Sequence, residues 1–141
     1  RIIYIARAER NQVIAAPLMV GSTLPSHCTS MGRVLLASMT NGAREQWLSG
    51  AVLESRTERT ITSPDALRGE LCAVAEQRWS LVEEELEIGL RSLAVPIRDR
   101  DGTTLAALNV ATFSDAHSRE HLIDRYLPDL RAAAGQLERA I

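Results

Sequence analysis

The order of apolar patterns along the chain predicts an α+β domain, with helices packed around a largely antiparallel sheet. Three observations carry this. Leu90 to Arg98 and Thr103 to Thr112 are apolar runs with period two, joined by Asp99-Arg100-Asp101-Gly102, a strong hairpin signal. Leu67, Leu71, Val74 and Ala75 recur at helical spacing behind Ser63-Pro64-Asp65, a capping serine with proline in the first turn. Leu122, Ile123, Tyr126, Leu130, Ala133, Ala134, Leu137 and Ile141 share one face of a closing helix from about Ser118 to Ile141.

The elements follow in order. Ile2, Tyr4 and Ala6 alternate with Ile3 and Ile5, so Arg1 to Arg7 reads as a strand buried on both faces. Glu9 to Gln12 is a polar turn, and Val13 to Ala16 is a second short apolar run. The opening residue is already inside a strand pattern, which suggests a piece of a longer protein. Leu18 to Pro25 is loop-like. Thr29 or Ser30 caps a helix running to about Met39, which Asn41-Gly42 should end, and Ala43 to Leu48 is a second short helix. Glu54 to Ser63 is a polar loop. From Trp79 the period becomes two, and Ser80 to Leu86 reads as a strand that Glu87-Ile88-Gly89 interrupts. Pro128 inside the last helix should bend or restart it.

Composition narrows the function. With 141 residues, 45% apolar and 24% charged, the chain can bury its own core without staples or metals. Its net charge is −2, with sixteen arginines, no lysine and no basic stripe, which argues against nucleic-acid binding by this chain. No apolar run is long enough to span a membrane or form a secretion signal. The two cysteines, Cys28 and Cys72, fit reduced thiols in a cytoplasmic protein.

Four groups of residues could carry chemistry. His27-Cys28 could form a nucleophilic pair, but sequence neighbours seldom meet in hydrogen-bonding geometry, and a packed Cys beside a loop His is the plainer reading. His117 and His121 have metal-ligand spacing without the intervening pattern of a known site; a solvated helix face explains them too. Glu83, Glu84, Glu85 and Glu87 could serve as paired carboxylates, or form a solvated or subunit-facing edge, with Glu83, Glu85 and Glu87 on one strand face. The helix start at Ser30-Met31-Gly32 offers unpaired N–H groups and a favourable dipole to an anion. Gly32 permits close approach of a ligand or another backbone, and Arg33 adds planar donors suited to a carboxylate. A capped helix with Arg33 on its surface is the alternative.

The segment Gly21-Ser22-Thr23-Leu24-Pro25-Ser26-His27-Cys28-Thr29-Ser30-Met31-Gly32-Arg33-Val34-Leu35-Leu36-Ala37 resembles the loop and helix of the effector-binding domain of IclR-family transcription regulators. The block from Trp79 to Ile97 and the hairpin through Asn109-Val110-Ala111 resemble the same domain, in the same order. The Thr-Ser-Met-Gly-Arg variant looks most like the branch containing PcaR, PcaU and PobR, which control aromatic-acid catabolism.

That resemblance implies a GAF/profilin-like fold, a curved antiparallel sheet with helices on both sides, over residues 1–141. It also implies an N-terminal winged helix-turn-helix, absent from this chain, through which alone operator DNA would be bound. Homodimers or homotetramers are implied, with no cofactor. Ser30 and Met31 would line the effector pocket from the helix start, with Gly32 and Arg33 beside them. Val13, Ala16, Leu24 and Leu90 would form apolar walls, and Ser92, Asn109 and Ala111 the sheet floor. Val82 stands where some relatives carry an acid, which suits an aromatic ring better than a very small oxo-acid. The expected function is sensing of an organic acid, with aromatic acids among the candidates. The competing readings are a small hydrolase or isomerase using His27, Cys28 or the Glu83–Glu87 cluster, and a purely structural oligomerisation module.

Overall fold

The computed structural model describes residues 1–8 and 18–141. The sequence-predicted run Val13 to Ala16 lies outside the described residues. Two short strands, β1 (Ile2–Ile3) and β2 (Thr23–Leu24), pair antiparallel as a separate ribbon. Helices α1 (Ser30–Ala37), α2 (Asn41–Gly50) and α3 (Pro64–Gln77) follow. Strands β3 (Ser80–Glu83), β4 (Leu90–Arg98) and β5 (Thr104–Phe113) form an antiparallel sheet in that order. The chain closes with α4 (Arg119–His121), a π-helical stretch Leu122–Tyr126, and α5 (Leu127–Ala140).

Strand alternation sends the two faces of this sheet to different layers. Leu81, Leu93, Val95 and Ile97 pack against Leu122, Leu127, Leu130 and Ala134 of the closing helix. Ala94 lies in the opposite core, with Val34, Leu36 and Ala37 of α1, Leu48 of α2, and Leu67, Leu71 and Val74 of α3. Each large apolar side chain so buried contributes roughly 1.5–3 kcal/mol. The α1-facing side of the sheet carries small or polar residues where the other carries large ones. Val82 pairs with Ser92, Ser92 with Ala111, and Ala94 with Asn109. This thin floor leaves space between sheet and helix.

Helix α3 starts as predicted, with the Ser63 hydroxyl accepting from Ala66 N–H. The hairpin also forms as predicted: Asp99 accepts from the N–H groups of Asp101 and Thr103, and Gly102 takes φ +82°. Pro128 sits in the first turn of α5, behind a π turn in which Leu127 N–H donates to Leu122 C=O. That restart relieves the clash a proline causes inside a helix.

Four local expectations are corrected. The N-terminal strand is buried on one face only: Ile2 is inside while Ile3 and Ile5 are 60% and 72% exposed, because a two-stranded ribbon covers one side. Asn41-Gly42 begins α2 rather than ending α1. Helix α1 ends at Ser38, whose hydroxyl donates to Val34 C=O, and Thr40 then caps α2. Thr29 precedes α1 without capping it, since its hydroxyl donates back to Pro25 C=O at 2.7 Å. The strand from Ser80 stops at Glu83 because Glu84 turns to φ +56°. A tight strap, residues 84–89, then returns through Gly89 at φ +82°. Glu84 holds it, accepting from Gly89 N–H at 3.1 Å and the Ser114 hydroxyl at 2.9 Å, and pairing with Arg59 at 3.0 Å.

The Ser114 hydrogen bond, then the Gly89 N–H, hold the Glu84 carboxyl below its ordinary range. A depressed folded-state pKa gives stability present above the unfolded value and lost as pH falls through the folded one. The Tm advantage of the native chain over Glu84→Gln is therefore full at about pH 6 and shrinks below about pH 4.5, near the ordinary carboxylate range. Thermal melts of both proteins check this; an advantage unchanged down to about pH 3 contradicts it.

Two helical glycines give an opposed pair. A Cβ on Gly32 would lie 2.3 Å from Ser26 O and 2.4 Å from Ser26 Cα, whereas one on Gly69 meets nothing within 4 Å. Gly69→Ala is expected to stabilise by about 0.5–1 kcal/mol. Gly32→Ala is expected to cost about 1–3 kcal/mol or more. With roughly 2–4 °C of Tm per kcal/mol, melts separate the two by sign.

Candidate ligand-binding site

The gap between the sheet floor, the start of α1 and the ribbon closes into a pocket. It is lined by Tyr4, Leu24, Cys28, Thr29, Ser30, Met31, Val82, Leu86, Leu90, Ser92, Asn109 and Ala111. It leaves about 20 Å³ of room for a water-sized sphere, within about 360 Å³ of free space that includes the open mouth. Among the described residues no charged side chain lines it. A wider groove, about 1340 Å³ of free space on the same measure, runs between the ends of α1 and α3 and the hairpin tip, but it is an open furrow with mostly polar walls.

Eight sequence-predicted residues converge here: Leu24, Ser30, Met31, Val82, Leu90, Ser92, Asn109 and Ala111. The polar ones differ in state. Ser30 is 1% exposed, and its hydroxyl has no hydrogen-bond partner among the described residues. It stands at the first residue of α1, a helix start without a side-chain cap. Burying an unmatched hydroxyl costs roughly 1–3 kcal/mol, so such a group is commonly matched by water or ligand. Ser92 and Asn109 stand on adjacent strands across the floor. Val13 and Ala16 lie outside the described residues.

Arg33 and Gly32 do other work. Arg33 is 1% exposed and turned away from the pocket. Its Nη2 donates to Glu85 Oε2 at 2.5 Å and its Nε to His27 C=O at 2.9 Å, while Nη1 lies 3.7 Å from Glu70. The guanidinium is thus engaged internally, not offered to a ligand. Gly32 serves the contact with the Ser26 backbone.

The glutamates do not form a single solvated edge. Glu85 is buried against Arg33, Glu84 ties the strap, and Glu83 pairs with Arg91 and Arg119. The turn to positive φ at Glu84 breaks the alternation that would have put Glu83, Glu85 and Glu87 on one face.

His27 and Cys28 are not a catalytic pair in this geometry. The His27 ring nitrogen meets Glu54 C=O at 2.9 Å. Burial, then the Glu85 charge, pushes the Cys28 thiol up to about 11, far from the thiolate a nucleophile needs. His117 and His121 stack at 4.8 Å with Tyr126 edge-on to both. Among the described residues no three His, Cys, Asp or Glu side chains converge for a metal ion, and no helix is long and apolar enough to cross a membrane.

Tyr4, Cys28, Thr29 and Leu86 also line the pocket, a role the sequence reading did not give them. Tyr4 shares the inward parity of Ile2, which could have found it. Burial also raises its phenol pKa. Leu86 gave no signal, because its placement depends on the turn at Glu84.

Comparison with known proteins agrees with this architecture. Residues 1–139 match the family described as bacterial transcriptional regulator IclR, C-terminal. The Pca regulon regulatory protein of Pseudomonas putida is 47% identical over 137 residues, covering 96% of this chain and 47% of that protein. A double mutant of the Acinetobacter PobR inducer-binding domain, solved with 3-hydroxybenzoic acid, superposes with a TM-score of 0.87 at 33% identity, covering 94% of this chain and 75% of that one. The C-terminal domain of E. coli KdgR superposes with a TM-score of 0.78 at 38% identity, covering 85% and 73%. The chain spans about half the length of the curated relatives it matches. It belongs to the IclR family of bacterial transcription regulators, as a C-terminal domain of that family.

Proposed function

We propose that this chain is the effector-sensing part of a cytoplasmic, homo-oligomeric transcription regulator, and that its pocket takes an aromatic carboxylic acid. DNA would be contacted by a winged helix-turn-helix outside this chain. The observation that carries the ligand class is the uncapped start of α1 with the buried Ser30 hydroxyl, unmatched among the described residues, opening onto a pocket whose described lining holds no charged side chain. The helix dipole favours a carboxylate there by about 0.3–1 kcal/mol. Hydrogen bonds to the charged group add about 1.5–3 kcal/mol each. Leu24, Val82, Leu90 and Ala111 suit a ring, and Ser92 and Asn109 suit a ring hydroxyl. The 3-hydroxybenzoic acid in the PobR domain supports the same class.

The reading is tested by thermal shift with benzoate, its hydroxy derivatives and aliphatic dicarboxylates. A true effector at about 100 times its Kd raises stability by about 2.7 kcal/mol; no shift with any acid overturns the ligand class. Met31→Glu places a like charge at the helix start and is expected to abolish binding of the best acid, as titration calorimetry reads; native affinity would put the carboxylate elsewhere. Asn109→Ala and Ser92→Ala are expected to weaken a hydroxybenzoate more than benzoate, by about 0.5–1.5 kcal/mol for the lost hydrogen bond. Equal losses would remove these two residues from hydroxyl recognition.

A further inference from the structure

We infer that Glu85 is a positioning residue for the pocket: clamped by Arg33, it holds the strap 84–89 so that Leu86 closes the pocket wall opposite the start of α1. The inference rests on the reading of that pocket as the effector site. The strap leaves β3 at Glu84 and returns at Gly89, both at positive φ. Between these two bends Glu85 is turned inward, 7% exposed, and its neighbour Leu86 lines the pocket. The Glu85 carboxylate accepts from Arg33 at 2.5 Å and from Ile61 N–H at 3.1 Å, and its carbonyl accepts from the Thr60 hydroxyl at 2.6 Å. Thr57 donates to Glu84 C=O at 2.7 Å from the same loop. Arg33 lies one turn beyond Ser30, and its Nε donates to His27 C=O, beside Cys28 on the pocket wall.

One buried ion pair therefore joins three pieces of the pocket: the helix start, the turn before it, and the strap. A buried pair is weak as a source of net stability, because desolvation offsets the attraction. What it supplies is a fixed distance between elements far apart in sequence. A hydrophobic contact is non-directional and tolerates sliding; a charged pair with directed hydrogen bonds does not. Glu84 fastens the strap at its bends, and the buried Glu85 carboxylate is the inward anchor beside Leu86, which keeps its place through it.

The test uses the whole chain with Cys72→Ser, leaving Cys28 as the one thiol, with 3-hydroxybenzoate as the probe acid. Glu85→Gln is expected to weaken probe binding about tenfold, and to speed labelling of Cys28 by a thiol reagent about tenfold as the wall loosens. On a Leu86→Ala background Glu85→Gln is expected to cost less than about twofold more, because the group it positions is gone. Thr57→Val, which loosens the strap from outside the pocket, is expected to act in the same direction by about threefold, and it decides the matter if Glu85→Gln fails to fold. Folded variants with native affinity and a native labelling rate overturn the inference, as does full additivity with Leu86→Ala. Faster labelling in a chain whose native form binds no aromatic acid would uphold the strap and overturn the effector reading instead.

Discussion

The pocket end of the molecule depends on one close approach, the contact of α1 with the turn before it. Gly32 brings the helix backbone against Ser26 at a distance no side chain would permit. That contact lets Thr29 turn its hydroxyl back to Pro25, leaves the helix start uncapped, and buries Ser30 at the pocket edge. It also puts Arg33 within reach of both the His27 carbonyl and the strap. A helix standing a methyl group further out would lose all four relations together. The sheet cooperates by being thin on that side, with Ala94 under the helix and Ser92 and Ala111 under the pocket.

The resulting site handles charge indirectly. The arginine nearest the helix start is committed to a glutamate, and the described lining is neutral. An anion bound here would be held by backbone dipoles and hydroxyls, which are fixed in direction and weaken steeply with misplacement. A free guanidinium could follow its ligand around the pocket. Fixed donors instead favour discrimination by shape and by ring substituents.

Most of the fold was legible because its signals are local. Ser63-Pro64 and the Asp99–Gly102 turn each specify an element within a few residues, and each formed; the closing helix formed too, but the π turn brings Leu127 inside, and Leu137 and Ile141 of the predicted stripe are exposed. The failures share a different cause. Ile3 and Ile5 look like core residues because alternation reports apolarity on both faces, not whether a second layer covers one of them. Thr29 has the chemistry of a cap, but a carbonyl four residues back took its hydroxyl. Glu85 and Arg33 were read as surface or ligand-facing charges since their partner lies 52 residues away, a distance no periodicity encodes. Eight of the residues drawn from the resemblance line one pocket, Gly32 and Arg33 do not, and Leu86 was absent from the set because a single turn to positive φ decides where it points.

The closing helix also says something about how such a sequence can change. Between Leu122 and Leu127 the spacing of buried positions is five, whereas Leu127, Leu130 and Ala134 follow ordinary helical spacing. The π turn thus holds one residue more than an uninterrupted stripe needs, directly before a proline that an uninterrupted helix would not accept. Losing the extra residue alone would drive Pro128 into the interior of a regular helix. Losing the proline alone would leave the extra residue without its structural partner. The turn and the proline are thus structurally coupled, each accommodating the other in this helix.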